Sequence, residues 1–176
     1  PCGNYAKVNP PIRPREDVEY LWGAVLDGKV DWVVSDHACC RAEMKVDQRS
    51  PDDIFVAKSG FGGTEYLLSG LLSEGRRRGL SCNRIAELVS RNPATRFGVP
   101  GKGDIAVDFD ADLVLVDPHE RFIVSAETSE SAQGYTPFEG MELTGRVKST
   151  WLRGQQIWDG SNVIGSPGGR YLRRYG

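Results

Sequence analysis

Apolar positions recur at helical spacing through the first hundred residues, then shift to short strand-like runs after Gly101. Val18, Leu21, Trp22 and Val25 predict a helix from about Arg15 to Leu26 with one apolar face. Pro14 suits its first turn, Glu16 and Asp17 complement the dipole at its start, and Asp27-Gly28 ends it. Trp32, Val33 and Val34 then form a continuous apolar run, the pattern of a strand buried on both faces. Ser35-Asp36-His37 closes that strand. A helix followed by a buried strand is half of a βαβ unit, which points to an α/β fold with a parallel sheet.

Ahead of this unit, Tyr5-Ala6-Lys7-Val8 reads as a strand end. Asn9 follows it on a loop stiffened by Pro10, Pro11 and Pro14. Residues 41–58 are charged and irregular, a loop of the length that is either functional or disordered. Gly60-Phe61-Gly62-Gly63 leads into a helix from Thr64 to about Arg78, with Leu67, Leu68, Leu71 and Leu72 buried and Glu74 to Arg78 in solvent. Such a turn can offer backbone N–H groups to an anion or a polarised carbonyl. The plainer reading, a tight turn without a ligand, is preferred. Ser81 is the expected N-cap of a third helix, Cys82 to Arg91, which Asn92-Pro93 should interrupt before a short turn at Ala94 to Phe97.

Beyond Gly101 the strand-like runs are 104–107, 112–116, 121–124, 145–152 and 155–158, with a hairpin turn at Leu152-Arg153-Gly154-Gln155. This gives three parts: an α/β part over residues 1–100, a β-domain read as scaffold over 101–160, and a flexible basic tail over 161–176.

Composition narrows the function classes. A formal net charge of −2 over 176 residues gives no electrostatic case for nucleic acid or an anionic membrane. No apolar run is long enough to span a bilayer, and no secretory signal opens the sequence. Cys2, Cys39, Cys40 and Cys82 lack zinc-knuckle spacing, and adjacent cysteines rarely bridge each other. They are read as reduced thiols of a cytoplasmic protein. The opening Pro-Cys-Gly-Asn looks like a cut inside a longer protein, the alternative being Met removal ahead of Pro1.

The candidate chemistry centres on Asp36. In a parallel α/β sheet or barrel, ligands bind at the carboxyl ends of the strands. A carboxylate there is a candidate metal ligand or general base. The competing reading is that Asp36 caps a turn and His37 packs beneath it.

The order of motifs adds weight to the first reading. It runs Lys-x-Asn-Pro-Pro-Ile-Arg, helix, Val-Val-Ser-Asp-His, Gly-rich turn with Glu, helices, Asn-Pro-Ala, Lys-Gly-Asp-Ile-Ala, then Asp-Ala-Asp-Leu-Val-Leu-Val-Asp-Pro. From Lys7 to about Trp158 this resembles the carboxyl-terminal part of the cyclic amidohydrolases, the group of dihydroorotase, allantoinase and hydantoinase. The resemblance implies the last part of a metal-dependent (β/α)8 TIM barrel followed by a β-sandwich segment. It implies hydrolysis of a C–N bond in a small cyclic ureide or imide, with one or two divalent ions, zinc foremost. On that mapping Asp36 is a metal ligand and the base that passes a proton to the leaving nitrogen. Asn9, 27 positions earlier, contacts the substrate, as does the backbone of Ser59-Gly60. Arg13 and Lys45 also fit family positions, without an assigned role.

Two departures stand out. Cys40 occupies the place where dihydroorotases carry a substrate-binding His, as in the Asp-His-Ser-Pro-Cys of allantoinases, which puts a dihydroorotate substrate in doubt. The family also binds its metals through a His-x-His pair, a carbamylated Lys and two further His, whereas the histidines here are His37 and His119. One carboxylate cannot hold a catalytic zinc, so the isolated chain is expected to be metal-poor and inactive. It should associate with the missing amino-terminal barrel portion or with itself as a homo-oligomer. The alternatives are a non-catalytic relative serving as an assembly or scaffold protein, and a free-standing oligomerisation domain.

Overall fold

The computed structural model describes residues 3–174, so Cys2 lies outside the described residues. The chain divides into two compact units. The first contains the stretch up to Val25 with Val34–Leu67 and Phe122–Leu143; the second contains Leu26–Val33, Leu68–Arg121 and the stretch from Thr144 onward.

Helix α1 spans Arg15–Leu26, the bounds its apolar period and acidic first turn predict. Helix α2 (Thr64–Gly70) runs on through a π-turn at Leu71–Gly75. Helix α3 (Cys82–Ala86) continues through a π-turn at Glu87–Arg91 into α4 (Asn92–Arg96). Ser81 is the expected cap: its hydroxyl accepts from the Arg84 N–H at 3.1 Å, an interaction that stabilises a helix start by about 1 kcal/mol. Asn92-Pro93 does not interrupt this helix. Pro93 lacks an N–H, and the wider π-turn just ahead of it changes the hydrogen-bond register, so the axis continues.

In the second unit, Leu71, Leu72, Leu80, Ile85 and Leu88 are buried together with the polar Ser69 and Ser149. The serines of the helix join it to the sheet. Ser69 Oγ donates to the Gly145 carbonyl at 2.7 Å, and Ser73 Oγ donates to the Thr144 carbonyl at 2.8 Å. Gly145 has φ +98°, and a Cβ there would meet Leu72 Cβ at 2.9 Å, so only glycine lets the strand lie this close. The Arg76-Arg77-Arg78 run is less solvated than expected: Arg76 donates to the Pro118 carbonyl at 2.6 Å, and Arg77 and Arg78 both grip Glu74.

The sheet has three strands in the order β1 (Leu113–Ile123), β2 (Glu142–Leu152), β3 (Gln155–Trp158). β2 and β3 are antiparallel, and a bulge falls between Thr150 and Trp151. Their turn is the expected hairpin, with Arg153 at φ +48° and Gly154 at φ +78°, both in the left-handed region that suits strand twist.

Four strand expectations need correction. The runs 112–116 and 121–124 are parts of one strand, β1, which carries Pro118 through the position of an outer strand. Residues 104–107 form no strand: they are irregular chain leading into a turn at Val107, with Ile105 and Val107 almost fully exposed. Tyr5 and Ala6 lie in a 3-10 turn, Gly3–Ala6, and among the described residues no strand pairs with them to hold them extended. Val30 to Ser35 is free of helix and turn but has no ladder partner among the described residues. Three of its backbone polar groups are met by other means: Val33 N–H donates to the Leu88 carbonyl at 3.0 Å, and the Val30 and Asp31 carbonyls accept from Arg84 and Asn92 side chains. Trp32 packs edge-on against Phe97 at 5.7 Å, whereas Val34 is 63% exposed, so this segment is not covered on both faces.

Candidate functional site

The predicted site residues all fall in the first unit, and backbone contacts bring their segments together. Lys7 O, two residues before Asn9, accepts the Gly60 N–H at 3.0 Å. Phe61 O accepts the Ala38 N–H at 3.2 Å, which ties the Asp36–Cys40 stretch to the same turn. Gly60 has φ +105°, and a Cβ there would sit 2.7 Å from Ala38 Cβ and 2.8 Å from Ala38 O. Glycine is therefore required where these two segments cross.

Asp36 is exposed and holds φ +46°, a left-handed conformation that an L-residue with a side chain adopts at a cost. Asn9 is also exposed, Ser59 is half-buried and Gly60 is buried. Next to Asp36, the His37 ring is held firmly. Its Nδ1 accepts the N–H of Gly63 at 3.2 Å and that of Thr64 at 3.4 Å. Ser35 Oγ accepts the His37 N–H and lies 3.0 Å from Thr64 Oγ1. With Nδ1 an acceptor, the ring proton of the neutral imidazole resides on Nε2. The third amide of the Gly-rich turn, Gly62 N–H, donates to Gln133 Oε1 at 2.7 Å. Side chains of this chain thus occupy the donors that an anion would have used, in keeping with the tight-turn reading. His119 is exposed on β1.

Beneath this turn lies a group of buried polar side chains. Cys40 is buried; its thiol donates to the Gly60 carbonyl at 3.5 Å and lies 3.7 Å from the Tyr135 hydroxyl. Cys40 therefore meets the Ser59-Gly60 segment from within, and its thiol is turned away from solvent. Burial, and then the Cys40 thiol, raise the Tyr135 hydroxyl well above the usual phenol range. Lys45 has no exposed surface, and its ammonium donates to the Lys7 carbonyl at 2.9 Å. Burial holds its pKa below the ordinary lysine range, opposed by the Cys40 thiol and reinforced by Lys7. Cys39, Cys40 and Cys82 are free thiols.

Lys7, Gln133 and Tyr135 were not marked as functional from the sequence. Gln133 lies 71 residues from its partner Gly62, and only its place in the Gly/Pro-rich stretch Gln133-Gly134-Tyr135-Thr136-Pro137 hints at a packed loop.

The donor set does not fit a catalytic zinc held by this chain alone. Among the described residues, no group of three or more His, Cys, Asp or Glu comes together. Asp36 offers one carboxylate, and His37 has its Nδ1 taken by backbone amides. A catalytic zinc takes three protein ligands.

Comparison with known proteins agrees with the motif order. Residues 10–157 match the amidohydrolase family. The chain is 44% identical over 172 residues to an allantoinase of Rubrobacter xylanophilus, covering 97% of this chain and 37% of that protein. It is 36% identical over 177 residues to a dihydroorotase of Methanosarcina mazei, covering 99% and 38%. Among solved structures, the L-hydantoinase (dihydropyrimidinase) of Arthrobacter aurescens superposes with a TM-score of 0.90 at 34% identity, over 98% of this chain and 38% of that one. The D-hydantoinase (dihydropyrimidinase) of a Thermus species gives 0.85 at 30%, over 93% and 36%. The α/β chain belongs to the amidohydrolase family. It spans little more than a third of the length of the relatives it matches.

Proposed function

We propose that this chain is the carboxyl-terminal part of a cyclic amidohydrolase: the last portion of a (β/α)8 barrel over residues 1–100, a sandwich segment over 101–160 and a tail over 161–176. The observation that carries the reading is the meeting of three segments, Lys7–Asn9, Asp36–Cys40 and Ser59–Phe61, through the Lys7–Gly60 and Ala38–Phe61 backbone bonds. These bonds support the reading because each joins segments that carry residues matched to substrate and water.

On this reading Asp36 takes a proton from the attacking water. A C–O bond forms at the ring carbonyl, the ring C–N bond breaks, and the same proton passes to the leaving nitrogen. Asn9 and the Ser59-Gly60 backbone orient the ring, and Cys40 shapes its pocket by bracing Gly60. A divalent ion, zinc foremost, needs ligands from barrel strands outside this chain, so the isolated chain is assigned no turnover. Exposed apolar residues, Val34 at 63% and Leu21 at 58%, favour association with those strands or with a second copy. Among the described residues no helix is long and apolar enough to cross a membrane, and the assigned compartment is the cytoplasm.

The substrate class is a small cyclic amide. The test is turnover by the full-length protein of allantoin, hydantoin, dihydroorotate and dihydrouracil, with Asp36→Asn as control. Ring opening that Asp36→Asn abolishes supports the proposal; opening of none of the four rings, or undiminished turnover by Asp36→Asn, refutes it.

A further inference from the structure

The loop between the Asp36–Cys40 and Ser59–Phe61 segments has an unusual anchorage. The Lys58 N–H donates to the Met44 carbonyl at 2.9 Å, which closes the intervening residues into a compact Ω-like loop. Its larger apolar side chains do not hold it down: Phe55 is 89% exposed, and Ile54 and Val56 are about half exposed. Ala57 alone supplies a buried apolar group there, and it is small.

Two lysines hold it instead. Lys45, at one foot of the loop, sends its buried ammonium to the Lys7 carbonyl at 2.9 Å. Lys7 sends its own ammonium back to the other foot, donating to the carbonyls of Ala57 at 2.6 Å and Ile54 at 2.8 Å. The Lys7 carbonyl also accepts the Gly60 N–H, so its two lone pairs are committed to one charged and one neutral donor. Hydrogen bonds from a charged donor are about twice as strong as neutral ones, and burial strengthens them further.

We propose that Lys45 is a positioning residue for substrate: by clamping the Lys7 carbonyl it fixes the Asn9 loop against the Ser59-Gly60 turn before the cyclic amide arrives. The inference rests on the reading that Asn9 and Ser59-Gly60 face substrate. A long side chain with a compact terminal charge suits the task, because it carries a donor through a packed region to a backbone oxygen. Presetting the two loops removes an ordering cost from binding, so its loss falls on KM more than on kcat.

The test uses the full-length protein and whichever of the four rings it opens fastest. Lys45→Met keeps the stem and deletes the charge. It should raise KM at least tenfold while kcat falls less than threefold. The same rise should vanish when Lys45→Met is placed in an Asn9→Ala background, because both changes act through one loop. Independent, multiplicative effects of the two substitutions overturn the proposal, whereas an Asn9→Ala protein with wild-type KM overturns the underlying site reading instead.

Amide exchange at Gly60 gives an arm that needs no activity. The Gly60 N–H should exchange at least tenfold faster in Lys45→Met, and unchanged exchange overturns the proposal. If Lys45→Met does not fold, Lys7→Met, which cuts the other half of the latch at a half-exposed side chain, carries the same cycle with Asn9→Ala. Additivity there has the same meaning.

Discussion

The imidazole Nδ1 of His37 accepts the backbone N–H of Gly63 at 3.2 Å. One residue beyond Asp36, the chain has thus committed a histidine to the start of α2. In the structure the Nδ1 side of this ring is scaffold.

Removing that ring should cost stability. His37→Ala leaves the Gly63 and Thr64 N–H groups without their acceptor, at a cost of about 1–2 kcal/mol. Thermal unfolding of the full-length protein measures it. A midpoint equal to that of the wild type would mean that water replaces the ring at no cost.

Asp36 should show the opposite signature. Its φ of +46° is a conformation glycine adopts freely, so Asp36→Gly should unfold at the wild-type temperature or above it. Turnover should fall by at least about 10³-fold, since the proposed proton carrier is gone. A clear loss of stability in Asp36→Gly would show that the carboxylate is a structural cap.

Asn9→Ala should raise KM with little change in unfolding temperature, because the side chain is exposed. Steady-state kinetics beside a thermal melt separate the outcomes: lower stability with unchanged KM would make Asn9 structural.

Gly60→Ala tests the crossing of the two loops. The added methyl would stand 2.7 Å from Ala38 Cβ at a φ of +105°. Crowding and backbone strain together should cost on the order of 3 kcal/mol. A variant of near-native stability would mean that the loops separate easily.

Acid sensitivity should appear at Glu74. Hydrogen bonds from Arg77, and then from Arg78, outweigh burial and hold its carboxyl down at about 2 against an ordinary 4.5. A depressed carboxyl stabilises the fold fully above the unfolded value of 4.5 and loses that contribution as pH falls towards 2. The carboxylate is 36% exposed, so solvent screening keeps the effect below about 1 kcal/mol. Glu74→Gln should lower the midpoint at pH 7, and the gap to wild type should narrow between pH 4.5 and 2.

Some of this was legible along the chain. α1 has the bounds predicted from its apolar spacing, the Ser81 cap is where expected, and the Arg153-Gly154 hairpin forms. Each rests on contacts between residues a few positions apart. The Val30 to Val34 run misled in detail, because a strand is defined by its neighbours and no ladder partner lies among the described residues. Pro93 misled for the reverse reason: a local rule predicted a break, and a π-turn absorbed it.

By itself the sequence determined α1, the Ser81 cap, the hairpin and the order of motifs that places the chain among the amidohydrolases, because periodicity, capping and turn chemistry are written within a few residues. Only the tertiary structure decided that Lys45 is buried against Lys7, that Gln133 and His37 occupy the amides of the Gly-rich turn, and that Cys40 faces Gly60. Those pairings join residues 20 to 71 positions apart. Which polar group is buried, and against what, depends on how distant segments cross, and no local pattern encodes that crossing.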